Sequence, residues 1–273
     1  MMSSMDAISR NNVTVTGKPG APVVMLAHGF GCDQNMWRLV TPALAEDFQL
    51  VLFDYVGSGR ADPSAWDPQR YASLDGYAAD VAEICEQLDL TDVVFVGHSV
   101  SAMVGVLAAA RQPQRIAKLV MVAPSPCYID EPETGYVGGF SAPDIEELLD
   151  SLESNYLGWS AAMAPVIMGN PQRPELGQEL TNSFCATDPE MAAVFARATF
   201  LSDSRADLAK VAVPTLVLEC EQDVIAPREV GAYVHACIAD SRLVTLPATG
   251  HCPQLSAPEA TAHQIAEFAG AAQ

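Results

Sequence analysis

Short apolar runs alternate with longer segments of helical period along most of the chain. "APVVMLAHG", "FQLVLFD", "DVVFVG", "AKLVMVAP", "VPTLVLEC" and "SRLVTLP" are mostly continuous in their hydrophobicity rather than alternating. That pattern belongs to strands covered on both faces, and it predicts a mostly parallel sheet. "NVTVTG" near the start does alternate and predicts an antiparallel edge strand. Between these runs, helices are predicted in "MWRLVTPALAED", "LDGYAADVAEICEQLDL", "VSAMVGVLAAARQ", "PREVGAYVHACI" and "APEATAHQIAEFAG". In the second, Tyr77, Val81, Ile84, Cys85 and Leu88 recur at spacings of three and four and so share one face. Strand, helix and strand in repetition mean crossover units with helices on both sides of the sheet, so the expected fold class is α/β.

The alternation stops after Pro124 and resumes near Val213. In between, "DIEELLDSLESNYLGWSAAMAPVIMG" and "ELGQELTNSFCATDPEMAAVFARATFLSD" carry only helical patterns broken by Pro and Gly. The expectation is one domain over residues 1–273, with residues 125–212 as an inserted helical cap. No internal repeat or low-complexity tract is visible.

Composition narrows the class of function. With 273 residues, 49% of them hydrophobic, the chain is long enough to bury a large core. Fourteen Lys and Arg against 34 Asp and Glu give a net charge of −20, which repels phosphate backbones and anionic membranes. Neither nucleic acid nor a membrane is an expected partner, and the acidic surface is read as a solubility device. The seven cysteines are scattered, odd in number and without C-x-x-C spacing, which points away from a disulfide framework or zinc site. The amino terminus has no apolar run like a signal peptide's, and no later stretch is apolar for long enough to cross a bilayer. A cytoplasmic protein is expected.

The candidate chemistry centres on "FVGHSVSAM", an apolar strand ending in Gly97, then Ser99, then small residues opening a helix. This is the setting of a nucleophile elbow, G-x-S-x-G, with Ser101 in place of the last glycine. Strand and helix backbones approach closely there, so Ser101 is a tolerated departure that adds only a hydroxymethyl group. An activated serine requires a base, an acid to orient it and donors for a developing oxyanion. In architectures with such an elbow these follow in the order Ser, Asp or Glu, His. Asp223 in "VLECEQDVIAPREV" follows a late strand; Glu219 inside that strand and Glu221 early in the turn compete with it, and Asp223 is also placed to cap the next helix. His251 in "LPATGHCPQLSAPE" lies between the last strand and the last helix, whereas His235 and His263 fall within helices, and His28 and His98 are placed to orient backbone. The backbone N–H groups of Val100 and of Phe30, in the loop "AHGFGCD", are the expected oxyanion donors.

"HGFGCDQNMW", "LVLFDYVGSGRAD", "LDGYAADV", "FVGHSVSAM", "LVMVAPSPCYID", "YVGGF", "FCATDPEMA", "DVIAP" and "GHCPQLSAPE" together resemble the RsbQ-like α/β hydrolases, the bacterial group related to plant karrikin and strigolactone receptors. The resemblance spans nearly the whole chain, including the cap. It implies an α/β-hydrolase fold, Ser99, Asp223 and His251 as triad, and Phe30 and Val100 at the oxyanion hole. It also implies a deep apolar cavity beneath the cap, around which Phe140, Trp159, Phe195 and Phe200 are the aromatic candidates, although aromatics on helices are often ordinary core. By analogy it implies a role in stress signalling with a PAS-domain phosphatase partner.

The expected activity is serine hydrolysis of a small hydrophobic ester or lactone. The rival expectation is a ligand sensor with slow or single-turnover hydrolysis that acts through a protein partner. A weaker third is another reaction on the same scaffold, such as a lyase, perhydrolase or carbon–carbon hydrolase; a haloalkane dehalogenase is disfavoured because Ser99 stands where those place Asp. No cofactor is expected: "DYVGSGRAD" lacks both the G-x-G-x-x-G spacing and the Lys-Ser/Thr of a P-loop, and it reads as a tight turn beside the site.

Overall fold

The structure is a computed structural model and describes residues 6–270. Seven strands, β1 (Thr14–Gly17), β2 (Val23–Ala27), β3 (Gln49–Leu52), β4 (Val93–His98), β5 (Ile116–Val122), β6 (Thr215–Gln222) and β7 (Ser241–Thr249), form one sheet in the order β1-β3-β2-β4-β5-β6-β7. β1 runs antiparallel to β3 as its alternating sequence predicts, and every other neighbouring pair is parallel. This is the α/β-hydrolase fold.

The continuous apolar runs are explained by two cores. Side chains alternate across a strand, so Met25, Ala27 and Phe95 enter one core while Val24, Leu26, Val94 and Val96 enter the other. Helix Leu74–Gln87 buries Tyr77, Val81, Ile84 and Cys85 in the first core, and helix Pro258–Gly270 buries Ala262, Ile265 and Ala269 in the second. The segment expected to form one helix after Met36 instead makes a 3₁₀ turn, Gln34–Trp37, and a four-residue helix, Thr41–Leu44. Pro42 has no N–H to donate to the carbonyl of Arg38, so the helical hydrogen-bond ladder is interrupted between the two pieces.

Between β5 and β6 lie four long helices, Ala142–Ser154, Tyr156–Met168, Pro174–Cys185 and Pro189–Phe200. Ser141 and Asp144 form a reciprocal capping box at the first, and Asn155 caps the second. Their apolar faces, carrying Ile145, Leu149, Trp159, Phe184 and Phe195, join the same core as the sheet face beneath them. The four helices between β5 and β6 therefore share one core with that face of the sheet.

One buried charge ties the amino-terminal segment to this frame. Asp80, wholly buried on helix Leu74–Gln87, pairs with Arg10 at 2.9 Å and Arg70 at 2.6 Å and accepts from the Tyr71 hydroxyl at 2.9 Å.

Candidate active site

The register of β2 against β4 pairs Ala27 with Gly97, which brings the carboxyl ends of both strands side by side. The loop carrying Gly29 and Phe30 therefore begins next to the turn carrying Ser99. Ser99 has φ 57° and ψ −125°, a strained backbone for a residue with a side chain, and it leads directly into helix Val100–Arg111. A Cβ on Gly97 would lie 2.3 Å from the Ser101 carbonyl oxygen, so the crossing of strand and helix requires glycine there. Ser101 fits the turn and is fully buried.

Asp223 follows β6 in a turn. Its Oδ1 accepts the N–H groups of Ile225 at 2.8 Å and Ala226 at 3.2 Å, which leaves Oδ2 to accept from His251 Nδ1 at 2.7 Å. Burial raises the pKa of Asp223, but the neighbouring imidazole and these donors outweigh it and hold the carboxyl below its ordinary range. Helix Arg228–Cys237 has Pro227 at its cap, so Asp223 does not cap it. The competing carboxylates sit elsewhere: buried Glu219 accepts from Arg228 and Thr245, and Glu221 is exposed.

His251 is held from both sides. Its backbone N–H donates to the carbonyl of Ile167, on the inserted helices, at 2.9 Å, and its own carbonyl accepts from His98 Nε2 at 2.7 Å. Gly250 before it has φ 87°, and a Cβ there would strike the Met168 carbonyl oxygen at 1.8 Å. With Nδ1 donating to an ionised Asp223, Nε2 is free to accept from the Ser99 hydroxyl at 2.7 Å. Burial, then the nearness of His251, keep His98 neutral with a pKa of about 3. Among the described residues, neither the Phe30 nor the Val100 N–H donates to a protein acceptor. This arrangement can move a proton from a serine hydroxyl to an imidazole.

Ser99 and His251 line a small cavity of about 30 Å³. Its wall is largely apolar and includes Phe30, Trp159, Phe200, Phe184, Leu180 and Ile167. Three buried polar atoms at this cavity, Tyr128 Oη, Thr199 Oγ1 and His98 Nδ1, make no hydrogen bond of regular geometry. Burial pushes the Tyr128 phenol up to about 12, against a lowering by the nearby Ser99 hydroxyl, so it remains a donor at neutral pH. Cys32 and Cys252 in the wall are free thiols, and burial raises the pKa of both.

Of the four expected aromatics, Trp159 and Phe200 line the cavity, while two expectations are corrected. Phe195 stacks on Tyr77 at 4.4 Å and meets Phe30 edge-on at 5.6 Å, so it lies behind the wall. Phe140 borders a separate surface groove with Asp144, Leu148 and Met163, and its backbone is bonded to Tyr128 and Asp130. Sequence reasoning missed Phe184, Tyr128 and Thr199. Phe184 alone had a local counterpart: Gly31, at φ 69°, leaves room that a Cβ would close to 2.3 Å from the Phe184 ring.

Asp54 accepts from Asn12, Gln34 and Arg60, and a Cβ on Gly59 would lie 2.5 Å from its carboxylate, so "DYVGSGRAD" forms a tight turn. Among the described residues no group of three or more His, Cys, Asp and Glu is placed to hold a metal ion, and no helix is long and apolar enough to cross a membrane.

Comparison with known proteins places the chain among hydrolases and esterase-like relatives. The sequence pattern of the alpha/beta hydrolase family matches residues 23–264. A probable esterase of Oryza sativa subsp. japonica is 37% identical over 250 residues, covering 91% of this chain and 92% of its own. Karrikin insensitive 2 receptor CA of Petunia hybrida is also 37% identical over 250 residues, with the same coverage of both chains. Among solved structures, a hydrolase from Oleispira antarctica superposes with a TM-score of 0.94 at 43% identity, covering 97% of this chain and 96% of that one.

Proposed function

The chain belongs to the alpha/beta hydrolase family, and we propose that it hydrolyses small, largely apolar carboxylic esters or lactones by nucleophilic attack of Ser99. The observation that carries this reading is the unbroken chain of contacts from Ser99 Oγ to His251 Nε2 and from His251 Nδ1 to Asp223, each 2.7 Å long. Ser99 Oγ attacks the carbonyl carbon as its proton passes to His251, and the N–H groups of Phe30 and Val100 receive the oxyanion. The tetrahedral intermediate expels the alcohol, which takes the proton from His251. Water, deprotonated by the same imidazole, then releases the acid and restores Ser99. The apolar wall favours uncharged substrates, and the hydroxyls of Tyr128 and Thr199 offer hydrogen bonds to a polar atom away from the scissile carbonyl.

A second reading, a ligand sensor with slow or single turnover, is favoured by one contact. The His251 N–H bonded to Ile167 links the site directly to the inserted helices, which we assign as a cap over residues 125–212. A covalent change at the site is then transmitted to an outer surface and to a protein partner. The receptor name of the petunia relative accords with this reading, and the RsbQ-like resemblance makes a PAS-domain phosphatase the partner to try first. The deciding experiment is the time course of a short-chain chromogenic ester at comparable enzyme and substrate concentrations, for wild type and Ser99→Ala. Linear turnover lost in the variant supports the hydrolase. One burst followed by silence, with acyl mass on Ser99, supports the sensor. Equal rates in both proteins overturn both readings.

A further inference from the structure

The two N–H groups assigned to the oxyanion are carried by different elements, the loop after β2 and the helix after β4. They act together only if loop and helix are held in register, and one buried cluster spans the gap between them. The Ser101 hydroxyl bonds to the carbonyl oxygen of His28, and it lies 2.9 Å from the Tyr55 hydroxyl. All three residues are fully buried. A carbonyl oxygen only accepts, so Ser101 donates to His28 and Tyr55 donates to Ser101. The Tyr55 backbone N–H donates to His28 Nε2 at 3.2 Å, which places the imidazole proton on Nδ1, and that nitrogen donates to the Gly29 carbonyl at 2.9 Å. Every proton in the cluster is thereby assigned.

The Gly29 carbonyl and the Phe30 N–H belong to one planar trans peptide and point in opposite directions. Fixing the carbonyl toward His28 fixes the N–H away from it. His28 itself is anchored through its own carbonyl by Ser101, two residues after the nucleophile and one after Val100. A glycine at 101, as the general G-x-S-x-G pattern has it, offers no hydroxyl for this bond.

We propose that Ser101, supported by Tyr55, is a positioning residue that locks the loop after β2 onto the helix after β4 so that the Phe30 and Val100 N–H groups converge on one oxyanion. The inference rests on the hydrolase reading. It predicts that losing the Ser101 hydroxyl displaces one donor and weakens binding of the tetrahedral state, while binding of the substrate itself is left nearly unchanged.

The test compares Ser101→Gly, Ser101→Ala, Ser101→Thr, Tyr55→Phe and the double variant Tyr55→Phe/Ser101→Ala. Readouts are kcat and KM on a chromogenic ester, inhibition by a trifluoromethyl ketone that mimics the tetrahedral adduct, and amide hydrogen exchange over residues 27–32. The Gly and Ala variants are expected to lose about tenfold to a hundredfold in kcat, short of the 10²–10³ of a donor removed outright. KM should stay within about twofold and ketone affinity should fall in parallel with kcat. Thr should restore most of the loss, and the double variant should be no worse than Ser101→Ala, because Tyr55 acts through Ser101. A kcat within about twofold of wild type in Ser101→Gly, or an unchanged exchange rate over residues 27–32, overturns the proposal. If wild type itself fails to turn over esters, the hydrolase reading fails, and the exchange measurement still decides whether Ser101 holds the loop.

Discussion

A side chain on Gly29 and the imidazole of His98 would compete for one space: a Cβ at position 29 would lie 2.7 Å from His98 Nδ1 and 3.3 Å from the Cβ of Ser99. His98 cannot retreat, because its Nε2 is bonded to the His251 carbonyl. Gly29→Ala is therefore expected to displace the loop that carries the Phe30 N–H and to lower kcat by about a hundredfold, the scale of one lost oxyanion donor. Steady-state ester kinetics beside a thermal melt check this. Wild-type rates in a folded variant would mean that the loop yields without consequence.

Asp223→Asn tests the orienting acid. The amide can still bond to His251, but it favours the wrong tautomer, with the proton on Nε2, where it can no longer accept from Ser99. The expected loss is roughly 10⁴ in kcat, by analogy with the same change in serine proteases. Glu219→Gln should leave turnover near wild type, because its partners are Arg228 and Thr245. Equal losses in the two variants would remove Asp223 from its assigned role.

Acid sensitivity should follow from His98. Its pKa is about 3 in the folded protein against 6.5 for an ordinary imidazole. Between those values the unfolded chain binds a proton that the folded chain does not, so stability falls as pH is lowered from about 6.5 toward 3. The slope contributed by this one residue is roughly 1 kcal/mol per pH unit in that window. His28, lowered mainly by burial, adds a contribution of the same sign. His98→Asn can keep a donor for the His251 carbonyl without a basic nitrogen. Urea unfolding at several pH values should show a shallower acid slope in this variant, and an identical slope would mean that His98 does not titrate on unfolding.

Asp80 makes a prediction about stability alone. Asp80→Asn removes the charge that Arg10 and Arg70 share, leaving the nearly buried Arg10 guanidinium with Glu83, at 2.6 Å, as its one ionic partner among the described residues. Breaking a buried pair from one side costs about 3–5 kcal/mol, and the surviving Glu83 contact places the expected loss near the lower end. A chemical denaturation midpoint measures it. A loss below about 1 kcal/mol would show that the cluster relaxes at little cost.

The sheet and the candidate positions of Ser99 and His251 were legible in the sequence because they are local features. A strand buried on both faces must be continuously apolar, and Gly97 and Gly250 mark places where backbones come too close for a Cβ. The chain order Ser, Asp, His is likewise a one-dimensional fact. Only tertiary structure could decide among Glu219, Glu221 and Asp223, because the choice depends on which carboxylate faces an imidazole 28 residues away from Asp223. The aromatics show the same limit. Phe195 and Phe200 share one helix, yet Phe200 faces the cavity while Phe195 packs behind Phe30, and helical periodicity names a buried face without naming what lies opposite. Ser101 read as a substitution that the turn tolerates, and its hydroxyl acquires a role only when β2 and β4 lie side by side and bring the His28 carbonyl, 73 residues earlier, within its reach. Periodicity and turn chemistry act over a few residues and are written in the sequence; hydrogen bonds between distant loops exist only after the strands have paired.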